Sequence, residues 1–112
     1  MAEFVKGDVV VVPFPFSDLT SLKRRPALVL AKSGTSDFIL SQITSKNLGD
    51  EHAIEIGASD FAAGGLSIIS NVRPNKLFTA EASIIAYKAG SLRREATDAV
   101  VAAINKLLEN GA

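Results

Sequence analysis

Two valine- and leucine-rich runs joined by a short cationic loop limit what this chain can fold into more than any other feature. The first is Asp8-Val9-Val10-Val11-Val12-Pro13-Phe14 and the second is Pro26-Ala27-Leu28-Val29-Leu30-Ala31. Runs of this length and β-branched content read as strands buried on both faces or set in a barrel wall. Pro13 and Pro15 place a strand end or an edge there, because proline gives no ladder hydrogen bond. Ser17 to Arg24 is a polar loop, and Arg25-Pro26 stands where the chain re-enters the sheet. Proline fixes its own φ and biases the preceding residue toward extended geometry, so Arg25 projects from a defined backbone. A guanidinium held at a loop–sheet junction is a natural receptor for phosphate.

The rest of the chain alternates short apolar runs with polar breaks. Residues 38–44 read as a third strand and 53–56 as a short fourth. Residues 58–63 read as one helical turn stopped by Gly64-Gly65, and 66–72 as a strand leading into a second Arg-Pro pair, Arg73-Pro74. Short strands are expected at 76–79 and 82–87. The period then changes. Leu92, Ala96, Ala99, Val100, Ala103, Ile104, Leu107 and Leu108 recur at steps of three and four, the stripe of an amphipathic helix. Ser91 is placed to cap it, Glu95 suits its first turn, and Gly111 can end it. Five to seven short strands followed by one helix predict a mainly β fold, a small bent barrel with the helix packed on it. No repeat or linker divides the 112 residues, so a single domain over 1–112 is expected.

With 47% hydrophobic and 21% charged residues the chain can build one core without staples. The absence of cysteine excludes disulfides, thiolate metal sites and a cysteine nucleophile. The N-terminal residues lack the apolar segment of a signal peptide, and no run approaches the ~18 apolar residues of a membrane span. A cytoplasmic protein with no membrane partner is therefore expected. Twelve Lys plus Arg balance twelve Asp plus Glu. Any polyanion site must then be a local patch. Lys23, Arg24, Arg25 and Lys32 supply one such cluster, and Arg73 with Lys76 a second basic point. The acidic stretch Asp50, Glu51, Glu55 and Asp60 lacks tight ligand spacing, so no metal and no cofactor is assigned.

The first hairpin, Gly7-Asp8-Val9 followed by a loop and Arg25-Pro26-Ala27-Leu28-Val29-Leu30, resembles the MazF/PemK (Kid-like) toxins of bacterial type II toxin–antitoxin systems. Ile43-Thr44-Ser45 resembles the family's strand ending in a hydroxyl residue, and Asn71-Val72-Arg73 its Gln-Ile-Arg. The C-terminal amphipathic helix also agrees. The resemblance implies an SH3-like β-barrel that dimerises and a metal-independent endoribonuclease that cuts single-stranded RNA sequence-specifically. It also implies a cognate antitoxin that lays a segment across the RNA groove, and promoter DNA bound together with that antitoxin. The family's catalytic arginine and threonine map onto Arg25 and Thr44. The chain departs from the pattern in two places. Thr20 stands where family members often carry a loop glutamate. The arginine–aspartate pair of the Kid branch has no match, with Ile68 and Ser70 near those positions.

Metal-free RNA cleavage uses the substrate's own 2′-hydroxyl against the adjacent phosphate. The enzyme must remove that proton, stabilise the phosphorane and protonate the leaving 5′-oxygen. Arg25 suits the second task and is unsuited to the first, since a guanidinium is a donor with no proton-accepting site. Thr44 can donate to the same phosphate. For proton removal, Asp18 is the nearest carboxylate in sequence, with a phosphate oxygen or water as alternatives. Phe16, Asp18, Thr20, Lys23, Arg24, Ser45, Lys46 and Arg73 are the candidate RNA contacts. Lys23 and Arg24 read either as a solvated loop or as phosphate-steering charges. Arg73 reads either as an RNA contact or as one half of a structural ion pair. Of the phenylalanines, only Phe16 is placed to meet a base; the others read as core. His52, the only histidine, reads as an exposed side chain. Three functions stay open: a ribonuclease toxin, a nucleic-acid-binding barrel without catalysis, and a module that only binds a partner peptide.

Overall fold

The computed structural model describes residues 3–15, 22–46, 49 and 51–111. Seven strands and one long helix follow in the order β1 (Asp8–Pro15), β2 (Leu22–Ser33), β3 (Asp37–Thr44), β4 (Ile54–Ile56), β5 (Phe61–Gly64), β6 (Ser70–Glu81), β7 (Tyr87–Leu92) and α1 (Arg94–Asn110). All seven strands belong to one antiparallel sheet of order β4-β6-β3-β2-β1-β7-β5. Its two edge strands, β4 and β5, are separated in sequence only by residues 57–60. Seven flat strands would set those edges ~29 Å apart at ~4.8 Å per spacing. The connecting residues reach at most ~18 Å even when extended. The sheet must therefore curl until its edges approach, and a bent half-barrel results.

The valine run of β1 serves both faces of this sheet. Val10 and Val12 enter a core with Ala27, Val29, Phe38, Leu40, Ala80, Phe4 and Ile85, while Val9 enters a second with Leu28, Ile43, Val72, Leu92 and the helix residues Val100 and Ile104. Period-two alternation sends neighbours to opposite faces, so a continuous apolar run is what a strand between two cores requires. Phe4 and Phe38 meet edge to face, with ring centroids 5.8 Å apart. A buried valine contributes about 1.5–3 kcal/mol relative to exposure.

The structure corrects several expected boundaries. Residues 58–60 form one 3-10 turn, and Phe61–Gly64 is a strand rather than more helix. The glycines expected to stop a helix instead let two strands close: Gly64 pairs with Gly90, and a Cβ at either would meet backbone atoms of the other strand. The strand expected over 66–72 begins only at Ser70 and runs on through the region of 76–79 as one strand. Residues 82–84 form a second 3-10 turn, with Ile85 donating to the Ala82 carbonyl, so the last strand starts at Tyr87.

The helix is placed as the stripe predicts, with three corrections. Leu92 ends β7, Ala99 and Leu108 are exposed, and Thr97 joins Val100 and Ile104 on the buried face. Ser91 is not the cap. It lies in β7 and donates to Asp8 Oδ1 at 3.1 Å. Buried Asp8 also accepts from the Val5 amide at 2.9 Å and faces Lys88 Nζ at 3.2 Å, which fastens the N-terminus to β7. Arg93 occupies the N-cap with no side-chain cap bond; its amide donates to the Asp60 carbonyl and its Nε to the Ser59 carbonyl. Gly111 closes the helix in left-handed geometry, φ 52°, as expected.

Candidate functional site

The two Arg-Pro pairs sit beside the same end of β3, one on each side. On the β2 side, the β2–β3 ladder ends at Ala27–Gln42, whereas β2 stays paired with β1 as far as Leu22. The Val29 carbonyl accepts from Gly7 on the β1 side. By strand alternation, residue 26 then turns its backbone toward β3. Pro26 has no N–H to offer there, and the ladder stops. The start of β2 and the end of β3 separate at this point.

On the β6 side, Ser41 pairs with Leu77 and Ile43 with Val72, so residues 73–76 of β6 stand against Gln42 alone. This is a wide bulge with buried Pro74 inside it. Arg73 is tied into it. Its carbonyl accepts from Ser41 Oγ at 2.7 Å, and its Nη1 donates to Gln42 Oε1 at 3.4 Å.

The gap on the β2 side is a groove of about 420 Å³. Lys23, Arg24 and Arg25 line it from β2, Lys46 and Ser45 from the end of β3, and Leu66, Ser67 and Ile68 from the segment before β6. Four cationic side chains thus surround one opening, and no carboxylate is among the described residues that line it. Their fields add in a concave site, which favours a polyanion despite the chain's zero net charge. Arg25 is half-buried and Lys23, Arg24, Ser45 and Lys46 are exposed.

Thr44 is buried, 7% exposed, and is not among the residues that line the groove, although its neighbours Ile43, Ser45 and Lys46 are. Its Oγ1 accepts the Lys46 amide at 3.2 Å, forming the turn that presents Ser45 and Lys46. That bond uses an oxygen lone pair and leaves the hydroxyl proton to donate. Arg73 is near but bonds to Gln42 and does not line the groove. Phe16, Asp18 and Thr20 lie outside the described residues. Ile68 and Ser70, near the positions of the Kid branch's arginine–aspartate pair, both line the groove, whereas Leu66 and Ser67 carry no signal because that stretch reads as a strand. The side chain of Gln42, which orients Arg73, also gave no signal.

The remaining candidates fall elsewhere. His52 is exposed and lies 3.7 Å from Glu51, beside a cavity of about 780 Å³ against the C-terminal end of α1. Among the described residues no cluster of His, Asp and Glu could hold a metal ion. No described helix is long and apolar enough to cross a membrane.

The family model for the PemK-like, MazF-like toxin of type II toxin–antitoxin systems matches residues 5–108, and the chain belongs to that family. Solved structures share the fold at low identity. An endoribonuclease in complex with its cognate antitoxin, from a mycobacterial species, superposes with TM-score 0.72 and 16% identity, over 97% of this chain and 96% of that one. The MazE-MazF complex of Deinococcus radiodurans gives TM-score 0.73 and 19% identity, over 93% and 94%. The Mycobacterium tuberculosis toxin MazF-mt6 gives TM-score 0.70 and 18% identity, over 91% and 96%. Against curated protein sequences the chain has no significant match.

Proposed function

We propose that this toxin is a metal-independent endoribonuclease that cuts single-stranded RNA in the groove between the start of β2 and the end of β3. The observation that carries this is the set of four cations around one concave opening, with Arg25 on a paired strand rather than on a loop tip. The reaction joins the 2′-oxygen to phosphorus and breaks the bond to the 5′-oxygen. Its products are a 2′,3′-cyclic phosphate and a 5′-hydroxyl. Arg25 offers its fork to the non-bridging oxygens as negative charge builds on the phosphorane. Thr44 holds the Ser45–Lys46 turn and can add a hydroxyl hydrogen bond. Lys23, Arg24 and Lys46 steer and hold flanking phosphates, and Ser45 offers a further hydroxyl. Asp18, a phosphate oxygen or water takes the 2′-proton. A site with so weak a base is slow, which suits an activity whose outcome is growth arrest.

A cognate antitoxin fits the same groove, as supported by family membership and by structural neighbours solved with MazE or another antitoxin. The active form is a homodimer in the cytoplasm, since two-fold pairing lengthens a groove for an extended strand. The toxin–antitoxin complex also binds its promoter DNA. The test is to incubate the protein with long single-stranded RNA in EDTA and map the ends. Discrete cuts leaving 2′,3′-cyclic phosphate support the proposal. The buried position of Thr44 favours a second reading, binding without cleavage. Salt-dependent binding with intact RNA would establish that reading, and inertness to RNA and DNA would leave a peptide-binding module.

A further inference from the structure

The groove has a cationic lining and an apolar one. The apolar lining comes from the segment before β6, where Leu66 is half-buried and Ile68 is 59% exposed. Ile68 lines the groove; its neighbour Ile69, 61% exposed, does not. Ile69 instead points toward Gly57, where an added Cβ would lie 3.8 Å from Ile69 Cγ1. Among the described residues, none covers this large aliphatic side chain beside four cations. The Ser70 hydroxyl donates to the Ile68 carbonyl at 3.0 Å and fixes the local turn, so Ile68 is held in place.

We infer that Ile68, with Leu66 behind it, is the nucleobase side of this groove. It takes the face of one base while the adjoining phosphates lie on the Arg25 and Lys46 walls. The inference rests on the RNA reading above and extends it to base recognition. A volume of about 420 Å³ is within the ~300–1,000 Å³ of small-ligand pockets, room for one nucleotide rather than a run of them. The cations account for the polyanion, and the apolar wall accounts for the part of a nucleotide that carries no charge. Aliphatic side chains offer dispersion and exclusion of water but no stacking partner. Selection at this position therefore works by the size and shape of the base, with modest discrimination.

The experiment compares wild type with Ile68→Ser, Ile69→Ser and Ile68→Phe. It uses binding of short single-stranded RNA oligonucleotides by fluorescence anisotropy, and cleavage profiles on long RNA. Ile68 is exposed and outside regular structure, so the folded state is retained, as thermal unfolding will verify. Ile68→Ser is expected to weaken binding about five- to tenfold and to widen the bases tolerated at one position next to the cut. Ile69→Ser should match wild type. Ile68→Phe should tighten binding, since a ring gives a base a stacking surface. Such a gain is not produced by a merely structural role. If wild type binds RNA but Ile68→Ser and Ile69→Ser behave alike, the base wall is wrong and the RNA reading stands. The same holds if Ile68→Ser weakens only an acidic antitoxin peptide. If wild type neither binds nor cuts RNA, both readings fall together.

Discussion

Arg25-Pro26 and Arg73-Pro74 are the same dipeptide on either side of β3, and the fold puts them to different uses. Each proline interrupts a ladder, one by withholding an N–H from β3 and one by sitting in a bulge. Beyond Pro26 the ladder between β2 and β3 does not resume, so the break opens a groove and Arg25 lines it. On the β6 side the ladder with β3 resumes at Ile43–Val72, so the break is filled, and Arg73 is bound to Ser41 and Gln42. A local motif fixes that a ladder breaks. What stands across the break decides whether a site or a joint results.

The sharpest test of this contrast is truncation of the two arginines. Arg25→Ala is expected to lower the RNA cleavage rate about 100-fold or more, the scale for losing one preorganised donor to a developing oxyanion. Its urea midpoint should stay near wild type. Arg73→Ala should reverse the pattern, losing about 1 kcal/mol of stability with its bond to Gln42 and only a few-fold in rate. Comparable rate losses with unchanged stability in both variants would break the comparison. The prolines give a second, smaller contrast. Pro74→Ala removes buried ring atoms and should cost about 1–2 kcal/mol in urea unfolding. Pro26→Ala restores an N–H facing β3 and should narrow the opening, weakening RNA binding several-fold at nearly constant stability. Ser41→Ala isolates the joint itself. Loss of its 2.7 Å bond to the Arg73 carbonyl should cost about 1 kcal/mol and leave activity per folded molecule within twofold. The smallest effects belong to the exposed wall. Lys23→Ala or Arg24→Ala should weaken RNA binding a few-fold each, and each should lower the slope of log affinity against log salt by about 1.

Much of the fold was legible because burial leaves a periodic trace. Val9 to Val12 could be read as a strand between two cores, and the Ala96–Leu107 stripe as a helix on one of them. The strand and turn boundaries at 58–64, 66–70 and 82–87 were not legible. Short segments of small residues carry no decisive period, and Gly64 and Gly90 are explained only by each other across β5 and β7. Ser91 is a good cap by type, yet Asp8, far away in sequence, claims its hydroxyl. Of the candidate site, Lys23, Arg24 and Arg25 were readable from charge clustering and the Arg-Pro signature, whereas Lys32, of the same cluster in sequence, pairs with Glu3 and lies outside the groove. The exposure of Ile68 beside Leu66 was not readable, because an exposed isoleucine has the same sequence signal as a buried one.

The sequence by itself determined the mainly β character with one C-terminal helix, the two-sided burial of β1 and the rigidity of the backbone at both arginines. All of these follow from side-chain shape and from proline's missing donor, which act within a few residues. Only the tertiary structure decided which arginine faces a groove, that Thr44 is buried, and that Ile68 shares an opening with the cations. Those outcomes depend on where β3 ends relative to β2 and β6. Strand registry over separations of tens of residues sets that relation, and no local pattern records it.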